Sequence, residues 1–125
     1  MKILVVDDEA DVKPLFLQWF RKEIRDHEFE FEFAFSGEQA MDYLKEKRSE
    51  VILILSDINM PGMSGIDLLS KIRHVYEAGP PSVMMITAYD DEENYRQAMK
   101  IGASDFLTKP LNFSLLKEKL KTFTT

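Results

Sequence analysis

Several polar residues that could act in catalysis or metal binding stand at the points where hydrophobic runs of the sequence end. They are Asp7 and Asp8, Asp57, Thr87 and, after the last run, Lys109. Singly, each has an ordinary explanation: acids after a strand often open a helix, and a lone lysine is usually a surface charge. As a group they offer carboxylates, a hydroxyl and an ammonium, which is a set that can do chemistry together.

Phosphoryl transfer onto a carboxylate is the chemistry that this group of side chains fits best. Three carboxylates that meet at one point repel one another and need a positive counter-charge. Mg²⁺ is suited because it takes one or two protein carboxylates together with water and phosphate oxygens, and Lys109 would add a second positive charge. Asp57 precedes a turn at residues 60–62, Met-Pro-Gly, which can leave its side chain open. We therefore expect Asp57 to be the nucleophile and to carry an acyl phosphate.

Composition and charge restrict the kinds of protein that this chain can be. Its 125 residues suit one domain over residues 1–125, and 45% hydrophobic residues allow a packed core. There is no cysteine, which excludes disulfides and thiolate metal sites. Sixteen basic and 22 acidic residues give a net charge of −6, which argues against direct nucleic-acid binding. The hydrophobic runs are too short for a membrane span and no signal peptide is evident, so we expect a soluble cytoplasmic protein.

Hydrophobic patterns predict the strands that would bring these residues to one edge of a sheet. Residues 3–6, 51–55 and 83–86 are continuous aliphatic runs, typical of parallel strands that are buried on both faces. Residues 29–35, FEFEFAF, alternate between apolar and acidic side chains and predict a charged edge strand. A short fifth strand is predicted over residues 105–107.

Five helices are predicted between and after the strands, from apolar residues at spacings of three and four. The first follows Asp11 and continues to Ile24, with Pro14 in its first turn, where proline is tolerated. The other predicted helix starts are Ser36 with Gln39, Ser64, the acidic residues 90–93 and the residues after Pro110, and Gly102 is a predicted helix end.

The alternation of strands and helices predicts an α/β fold with a doubly wound, five-stranded parallel sheet. Two strand orders are common in such sheets, and the patterns alone leave the choice open. In either order, ligands bind beyond the carboxyl ends of the strands, where the polar residues described above would lie.

The chain resembles the response-regulator receiver domains of two-component signalling. The resemblance rests on four segments in the order and spacing of that family: LVVDDE at 4–9, SDINMPGMSGIDLL at 56–69, ITAYDD at 86–91 and GASDFLTKP at 102–110. It covers essentially the whole chain. It implies a flavodoxin-like receiver fold with strand order 2-1-3-4-5 and five helices.

The resemblance also implies a role for each residue of the site. Asp57 would accept the phosphoryl group and, with Asp8, bind Mg²⁺ directly, while Asp7 would hold a metal-bound water or shape the site. The backbone carbonyl of Asn59 would complete the protein's share of the metal shell. Lys109 would contact the acyl phosphate, with a cis peptide bond before Pro110.

Further residues are implied in switching and in tuning. Thr87 would supply the switch hydroxyl. Phe106 takes the position of the switch aromatic, where many relatives have Tyr, and equally fits as a core residue. Asn59 and Tyr89 flank the site and would set how fast water reaches the acyl phosphate. Phosphorylation would then alter the surface of the fourth helix, fifth strand and fifth helix.

The resemblance implies two kinds of partner. A histidine kinase or phosphotransfer protein would donate the phosphoryl group, and a downstream protein or linked output domain would respond to the phosphorylated chain. The chain would catalyse only its own phosphorylation and dephosphorylation, and we expect no membrane partner. The sequence leaves open whether it stands alone, relays phosphate or begins a longer regulator. It also leaves open whether phosphorylation drives dimerisation.

Three other functions are alternatives to phosphoacceptor signalling for this sequence. An FMN or nucleotide binder would need phosphate-binding amides after the first strand, where residues 7–9 are acidic. An aspartyl-phosphate hydrolase would carry its nucleophile after the first strand and have a cap domain. The main alternative is a receiver fold that acts only as a protein-interaction module, without phosphorylation.

Overall fold

A computed structural model describes residues 1–47, 50–76, 81–88 and 91–123 of the chain. Strands and helices alternate along it, as the sequence predicts. The strands are β1 Lys2–Val6, β2 Glu30–Ala34, β3 Val51–Asp57, β4 Ser82–Thr87 and β5 Asp105–Thr108. The helices are α1 Val12–Trp19, α2 Arg21–Arg25, α3 Gly37–Lys47, α4 Gly65–Val75, α5 Glu92–Ile101 and α6 Phe113–Phe123.

The five strands form one parallel sheet in the order β2-β1-β3-β4-β5. This confirms the predicted doubly wound, flavodoxin-like fold. The order reverses direction between β1 and β3, so the carboxyl ends of these two neighbouring strands border the crevice in which such folds bind ligands.

Buried residues of the central strands alternate between two hydrophobic clusters, one on each face of the sheet. In β1, Leu4 and Val6 belong to the cluster that also contains residues of α3, α4 and α5. Ile3 and Val5 belong to the other, with residues of α1 and α6. Burial on both faces, as predicted from the continuous aliphatic runs, is therefore confirmed for β1.

The prediction of complete burial was wrong at Ile52, whose side chain is 39% exposed. Lys2 pairs with Val51, but Ile3 pairs with Leu53, so the register between β1 and β3 shifts by one residue. Because Ile52 lies in this irregularity, it has no partner position on β1 and faces outward at the start of the strand.

The predicted first helix is two helices, which brings the number of helices in the described ranges to six rather than five. The break is at Phe20, whose φ of −104° and ψ of 21° depart from helical values. Phe20 is completely buried and packs on Phe16 and Phe31, with ring centroids 5.9 and 5.0 Å away. Its backbone N–H still donates to the Phe16 carbonyl, so the chain changes pitch there without losing its hydrogen bonds.

Helix ends agree with the predicted signals. Ser64 caps α4 in a capping box with Asp67, and the Ser36 hydroxyl accepts from the Gln39 N–H at the start of α3. Gly102 ends α5 with a positive φ of 123°. Within the described residues, no helix is both long enough and apolar enough to cross a membrane.

The strand β2 lies at one edge of the sheet, as the alternating pattern predicts. Its Glu30 forms an ion pair with Lys2, with 3.3 Å between Oε2 and Nζ, and the preceding Glu28 lies 3.6 Å from Lys121. Acidic side chains along this edge disfavour pairing with the sheet of another molecule.

Gly65, the first residue of α4, packs directly against the end of β3. A Cβ atom there would collide with the carbonyl oxygen of Asp57 and lie 2.7 Å from the Cα of Ile58. Because both obstacles are backbone atoms, only displacement of the strand end or of the helix could make room. Gly65 therefore fixes how closely α4 approaches Asp57.

We expect Gly65→Ala to lower the free energy of unfolding by about 3 kcal/mol, the cost of a backbone shift in a packed region. Gly37→Ala is a matched control, since Gly37 is the first residue of α3 and its added Cβ would meet the side chain of Met63 in a loop. That variant should lose about 1 kcal/mol, because Sδ and Cγ of Met63 can swing away and its Cβ, 2.9 Å from the added atom, needs only a small shift of the loop. Urea denaturation measures both, and equal losses would contradict the role given to Gly65.

Candidate functional site

Three carboxylates meet at the carboxyl ends of β1 and β3. Asp7 and Asp8 directly follow β1, and Asp57 is the last residue of β3. One oxygen of each side chain lies within 4.8 Å of the others. Asp7 and Asp57 are buried, with 7% and 2% exposed, whereas Asp8 is exposed. The structure therefore brings together the three acids that the sequence singled out.

Lys109, which follows β5, places its ammonium on the buried carboxylate of Asp57. Its Nζ donates to Asp57 Oδ2 at 2.8 Å. Burial disfavours the charge of Lys109, but the bond with Asp57 and the charge of Asp7 outweigh that effect and raise the lysine pKa. The ammonium therefore stays charged at neutral pH, where it partly offsets the acidic cluster.

The second oxygen of Asp57 is held by the loop that follows. Its Oδ1 accepts a hydrogen bond of 3.3 Å from the backbone N–H of Asn59. With Lys109 on the other oxygen, both ends of the carboxylate are oriented. The predicted roles of Asn59, as a carbonyl ligand of the metal and as a tuning residue, stay predictions.

The surroundings of Asp7 disfavour the charged form of its carboxyl. Burial is the main cause that raises the pKa of its carboxyl, and repulsion from Asp57 adds to it. The N–H of Glu9 donates to Asp7 Oδ1 at 2.9 Å and acts in the opposite direction. A positive charge close to Asp7 would stabilise the charged carboxylate and lower its pKa.

Backbone hydrogen bonds to β4 fix the residues that directly follow β3 and β5. The N–H of Ile58 donates to the carbonyl of Ile86 at 2.9 Å, which ties the end of β3 to β4. The N–H of Lys109 donates to the carbonyl of Thr87 at 2.8 Å, which ties β5 to the same strand. The peptide bond between Lys109 and Pro110 is cis, as predicted.

Thr87, at the end of β4, donates its hydroxyl to a carboxylate outside the cluster of Asp7, Asp8 and Asp57. Its side chain is 1% exposed, and Oγ1 donates to Asp91 Oδ2 at 3.4 Å. The same Asp91 caps α5, where its carboxylate accepts from the backbone and the side chain of Asn94.

Phe106, in β5, is half-buried and packs on α5. Its ring centroid lies 4.0 Å from that of Tyr95, with 47° between the planes. Phe106 also packs against the cluster of buried residues on that face of the sheet. Tyr89, which the sequence suggested as a tuning residue, lies outside the described residues.

The ligand atoms in the acidic cluster fit a hard divalent cation. Carboxylate oxygens from Asp7, Asp8 and Asp57 are within reach of one point, and oxygen is the donor that Mg²⁺ prefers. Burial and, to a smaller extent, repulsion from Asp57 raise the pKa of Asp7, and such an ion would oppose both by stabilising the charged carboxylate.

A cleft of about 280 Å³ opens beside the site, between the start of α1 and the loop after β5. Its polar lining includes Asp7 and Lys109, and its apolar lining includes Leu15 and Phe113. A group entering this cleft reaches the edge of the acidic cluster, so the site is accessible from that side.

The sequence does not reveal the part that two residues, Gly65 and Asp91, have in the site. In the sequence, Gly65 is one position of a motif and Asp91 is one of the acidic residues that predict a helix start. The spacing of Gly65 gives no sign that backbone atoms crowd it. The distance of four residues between Thr87 and Asp91 could have suggested a contact only if the path of the loop were known.

Comparisons with known proteins agree on one family. A family model described as response regulator receiver domain matches residues 3–121. The chain is 36% identical over 121 residues to chemotaxis protein CheY-3 of Vibrio cholerae, covering 96% of this chain and 88% of that protein. It is 33% identical over 121 residues to response regulator RppA of Synechocystis sp., covering 97% of this chain and 49% of that protein.

The chain spans half or less of the length of several curated relatives that it matches, from 49% down to 15%. Among solved structures, it is similar to a response regulator receiver domain protein from Clostridium thermocellum, with a TM-score of 0.83 and 26% sequence identity. That similarity covers 97% of this chain and 91% of the other. From its sequence and its fold together, the chain belongs to the family of response regulator receiver domains.

Proposed function

We propose that this chain is a phosphoacceptor domain that receives a phosphoryl group on Asp57 and passes the signal on through a changed surface. The observation that carries the proposal is the buried carboxylate of Asp57, bonded to Lys109 and placed in a cluster of three acids. A structural role alone would not require so many charges in one crevice. We also propose that residues 1–125 act as a single receiver domain.

The transfer is an in-line displacement at phosphorus. An oxygen of Asp57 forms the new O–P bond, and the P–N bond of a phosphohistidine donor breaks, with its electron pair going to the imidazole nitrogen. Lys109 moves from the carboxylate onto the phosphoryl oxygens, whose charge it neutralises. Mg²⁺, bound by Asp8, Asp57 and the carbonyl of Asn59, with Asp7 holding a metal-bound water or shaping the site, would supply further positive charge to the same oxygens.

Switching begins at Thr87 and Phe106. A phosphoryl group on Asp57 presents strong acceptors to the Thr87 hydroxyl, which turns toward it. The volume that Thr87 leaves lets Phe106 pack further inward, away from Tyr95. The surface formed by α5, β5 and α6, which corresponds to the predicted fourth helix, fifth strand and fifth helix, changes accordingly.

The proposed donor is a histidine kinase or a phosphotransfer protein, and the proposed target is an output protein or a linked output domain. The cleft between α1 and the loop after β5 gives a donor histidine access to the edge of the site. The chain modifies only itself. The lifetime of the signal depends on how fast water reaches the acyl phosphate, a rate that the family resemblance assigns to Asn59 and Tyr89.

The proposal predicts the uptake of one phosphoryl group from a small donor such as acetyl phosphate, measured by intact mass. The adduct should form with Mg²⁺, should not form when a chelator is present from the start, and should be absent from Asp57→Asn. Asp11→Asn is a matched control, since Asp11 is an exposed acid near the site but outside the three-acid cluster. It should be labelled like the wild type.

Absence of any adduct, together with failure of beryllium fluoride to bind, would contradict the proposal. The chain would then be a receiver fold used only for protein interaction. Labelling that persists in Asp57→Asn would place the acceptor on another residue.

A second prediction concerns Asp7 and the stability of the metal-free protein. Because its pKa is raised, folded Asp7 holds its proton more tightly than unfolded Asp7 does, so its ionisation costs stability as pH rises through the folded pKa. We expect Asp7→Asn to raise the free energy of unfolding at pH 7 by about 1–2 kcal/mol without Mg²⁺, since it removes the cost of burying a charge and also the repulsion from Asp57. Below the ordinary pKa of an aspartate, the gain should disappear.

The same variant should lose part of the stabilisation that added Mg²⁺ gives the wild type, because a negatively charged carboxylate of the acidic cluster has become a neutral amide. Urea denaturation with chelator and with Mg²⁺ measures both effects, with Asp11→Asn as the exposed control. A loss of stability in Asp7→Asn without metal would contradict the electrostatic account of the cluster.

A further inference from the structure

We propose that Asp91 is a positioning residue that holds the Thr87 hydroxyl in the unphosphorylated state and competes with the phosphoryl group on Asp57 for it. The inference rests on the proposed phosphorylation of Asp57 and adds a residue outside the acidic cluster. Asp91 would set how readily the switch turns, without touching the phosphoryl group.

The contact is between a buried hydroxyl and a carboxylate. Thr87 Oγ1 donates to Asp91 Oδ2 at 3.4 Å, and the Thr87 side chain is only 1% exposed. Both oxygens of Asp57 are bonded elsewhere, to Lys109 at 2.8 Å and to the N–H of Asn59 at 3.3 Å. In this arrangement the hydroxyl is directed to Asp91 and not to the acceptor carboxylate.

A threonine hydroxyl has one hydrogen to donate, so it can serve one acceptor at a time. A buried hydroxyl that left Asp91 without finding a new acceptor would lose a hydrogen bond, because so little of Thr87 reaches water. Thr87 can therefore turn only when the site offers a better acceptor than a carboxylate. Phosphoryl oxygens on Asp57 meet that condition, since each bears substantial charge.

Asp91 keeps other partners when Thr87 leaves, which makes the exchange reversible. Its Oδ2 accepts from Asn94 Nδ2 at 2.6 Å, and its Oδ1 accepts from the backbone N–H of Asn94 at 3.4 Å. The carboxylate thus remains the cap of α5, next to positive partial charge at the helix start. Turning of Thr87 therefore breaks only its one hydrogen bond to Asp91. Asp91 changes how readily Thr87 turns but does not prevent it.

The position of Asp91 also links the hydroxyl to the surface that is proposed to change. The backbone carbonyl of Asp91 accepts from the N–H of Tyr95 in the first turn of α5. The Tyr95 ring packs on Phe106, with 4.0 Å between centroids. Departure of Thr87 therefore alters the bonding of the residue that starts α5, one turn before the aromatic contact.

The variant that tests the inference is Asp91→Asn. Asparagine is as good a helix cap as aspartate, so α5 should persist, but the charged acceptor for Thr87 is lost. Affinity for beryllium fluoride with Mg²⁺, measured by the change in Trp19 fluorescence or by calorimetry, should increase about fivefold, as expected for one modest hydrogen bond. In a Thr87→Ala background, the same substitution should leave the affinity unchanged.

Glu92→Gln is the matched control, because it removes one negative charge from the first turn of α5 at an exposed residue. It should leave beryllium fluoride affinity within about twofold of the wild type, since an exposed charge is screened. An equal increase in affinity in Glu92→Gln would show that loss of any nearby negative charge is enough, and would overturn the inference. An increase from Asp91→Asn that persists in the Thr87→Ala background would overturn it too, because the effect would not pass through the Thr87 hydroxyl. No increase in Asp91→Asn would overturn it as well.

The resting contact is tested separately by NMR of the free protein. Asp91→Asn should shift the Thr87 γ-methyl resonance and its χ1 coupling constants, whereas Glu92→Gln should not. An unchanged Thr87 signal would show that Asp91 does not hold the hydroxyl. Failure of the wild type to bind beryllium fluoride would contradict the proposed function, and with it the competition between Asp91 and a phosphoryl group for the Thr87 hydroxyl. The NMR result would still decide whether Asp91 holds that hydroxyl in the free protein.

Discussion

The structure of this site depends on charge balance around one buried carboxylate. Asp57 is 2% exposed and lies with Asp7 and Asp8 at the end of the sheet, where three like charges would repel one another. The Lys109 ammonium, 2.8 Å from Asp57 Oδ2, supplies part of the opposite charge. Burial and, after it, repulsion from Asp57 raise the pKa of Asp7, and the charge of Lys109 offsets only part of that rise. The remaining negative charge favours a cation in the crevice, and only such a cation together with Lys109 would let the crevice accept an anionic phosphoryl group.

The parallel sheet provides this balance because it aligns residues that are far apart in the chain. Lys109 and Asp57 are 52 positions apart, yet the order β1-β3-β4-β5 brings both to the same edge. Backbone hydrogen bonds from Ile58 and Lys109 to β4 fix the loops that carry them. The functional groups thus stand on rigid strand ends, while the groups proposed to move, Thr87 and Phe106, lie on the adjoining strands β4 and β5.

Most of the fold could be predicted because burial and periodicity are local properties of the sequence. The aliphatic runs of β1, β3 and β4 and the capped helices after Ser36 and Ser64 appear where expected. The break at Phe20 and the exposure of Ile52 could not be predicted, because they arise from packing and strand register between distant segments. The acids of the site can be predicted from the sequence because each stands at or just beyond the end of a predicted strand. The contact between Thr87 and Asp91 cannot, because it depends on the path of the loop between them. The domain limits and the cytoplasmic location stay predictions.

The central claim is that Asp57, and not a neighbouring acid, carries the phosphoryl group. Borohydride reduces an acyl phosphate to an alcohol, so a phosphorylated aspartate becomes homoserine and is marked permanently. Peptide mass mapping of the reduced protein after incubation with acetyl phosphate and Mg²⁺ would locate the mark. The account predicts homoserine at position 57 alone. Homoserine at position 7 or 8, or no mark in protein that has gained the mass of a phosphoryl group, would contradict it.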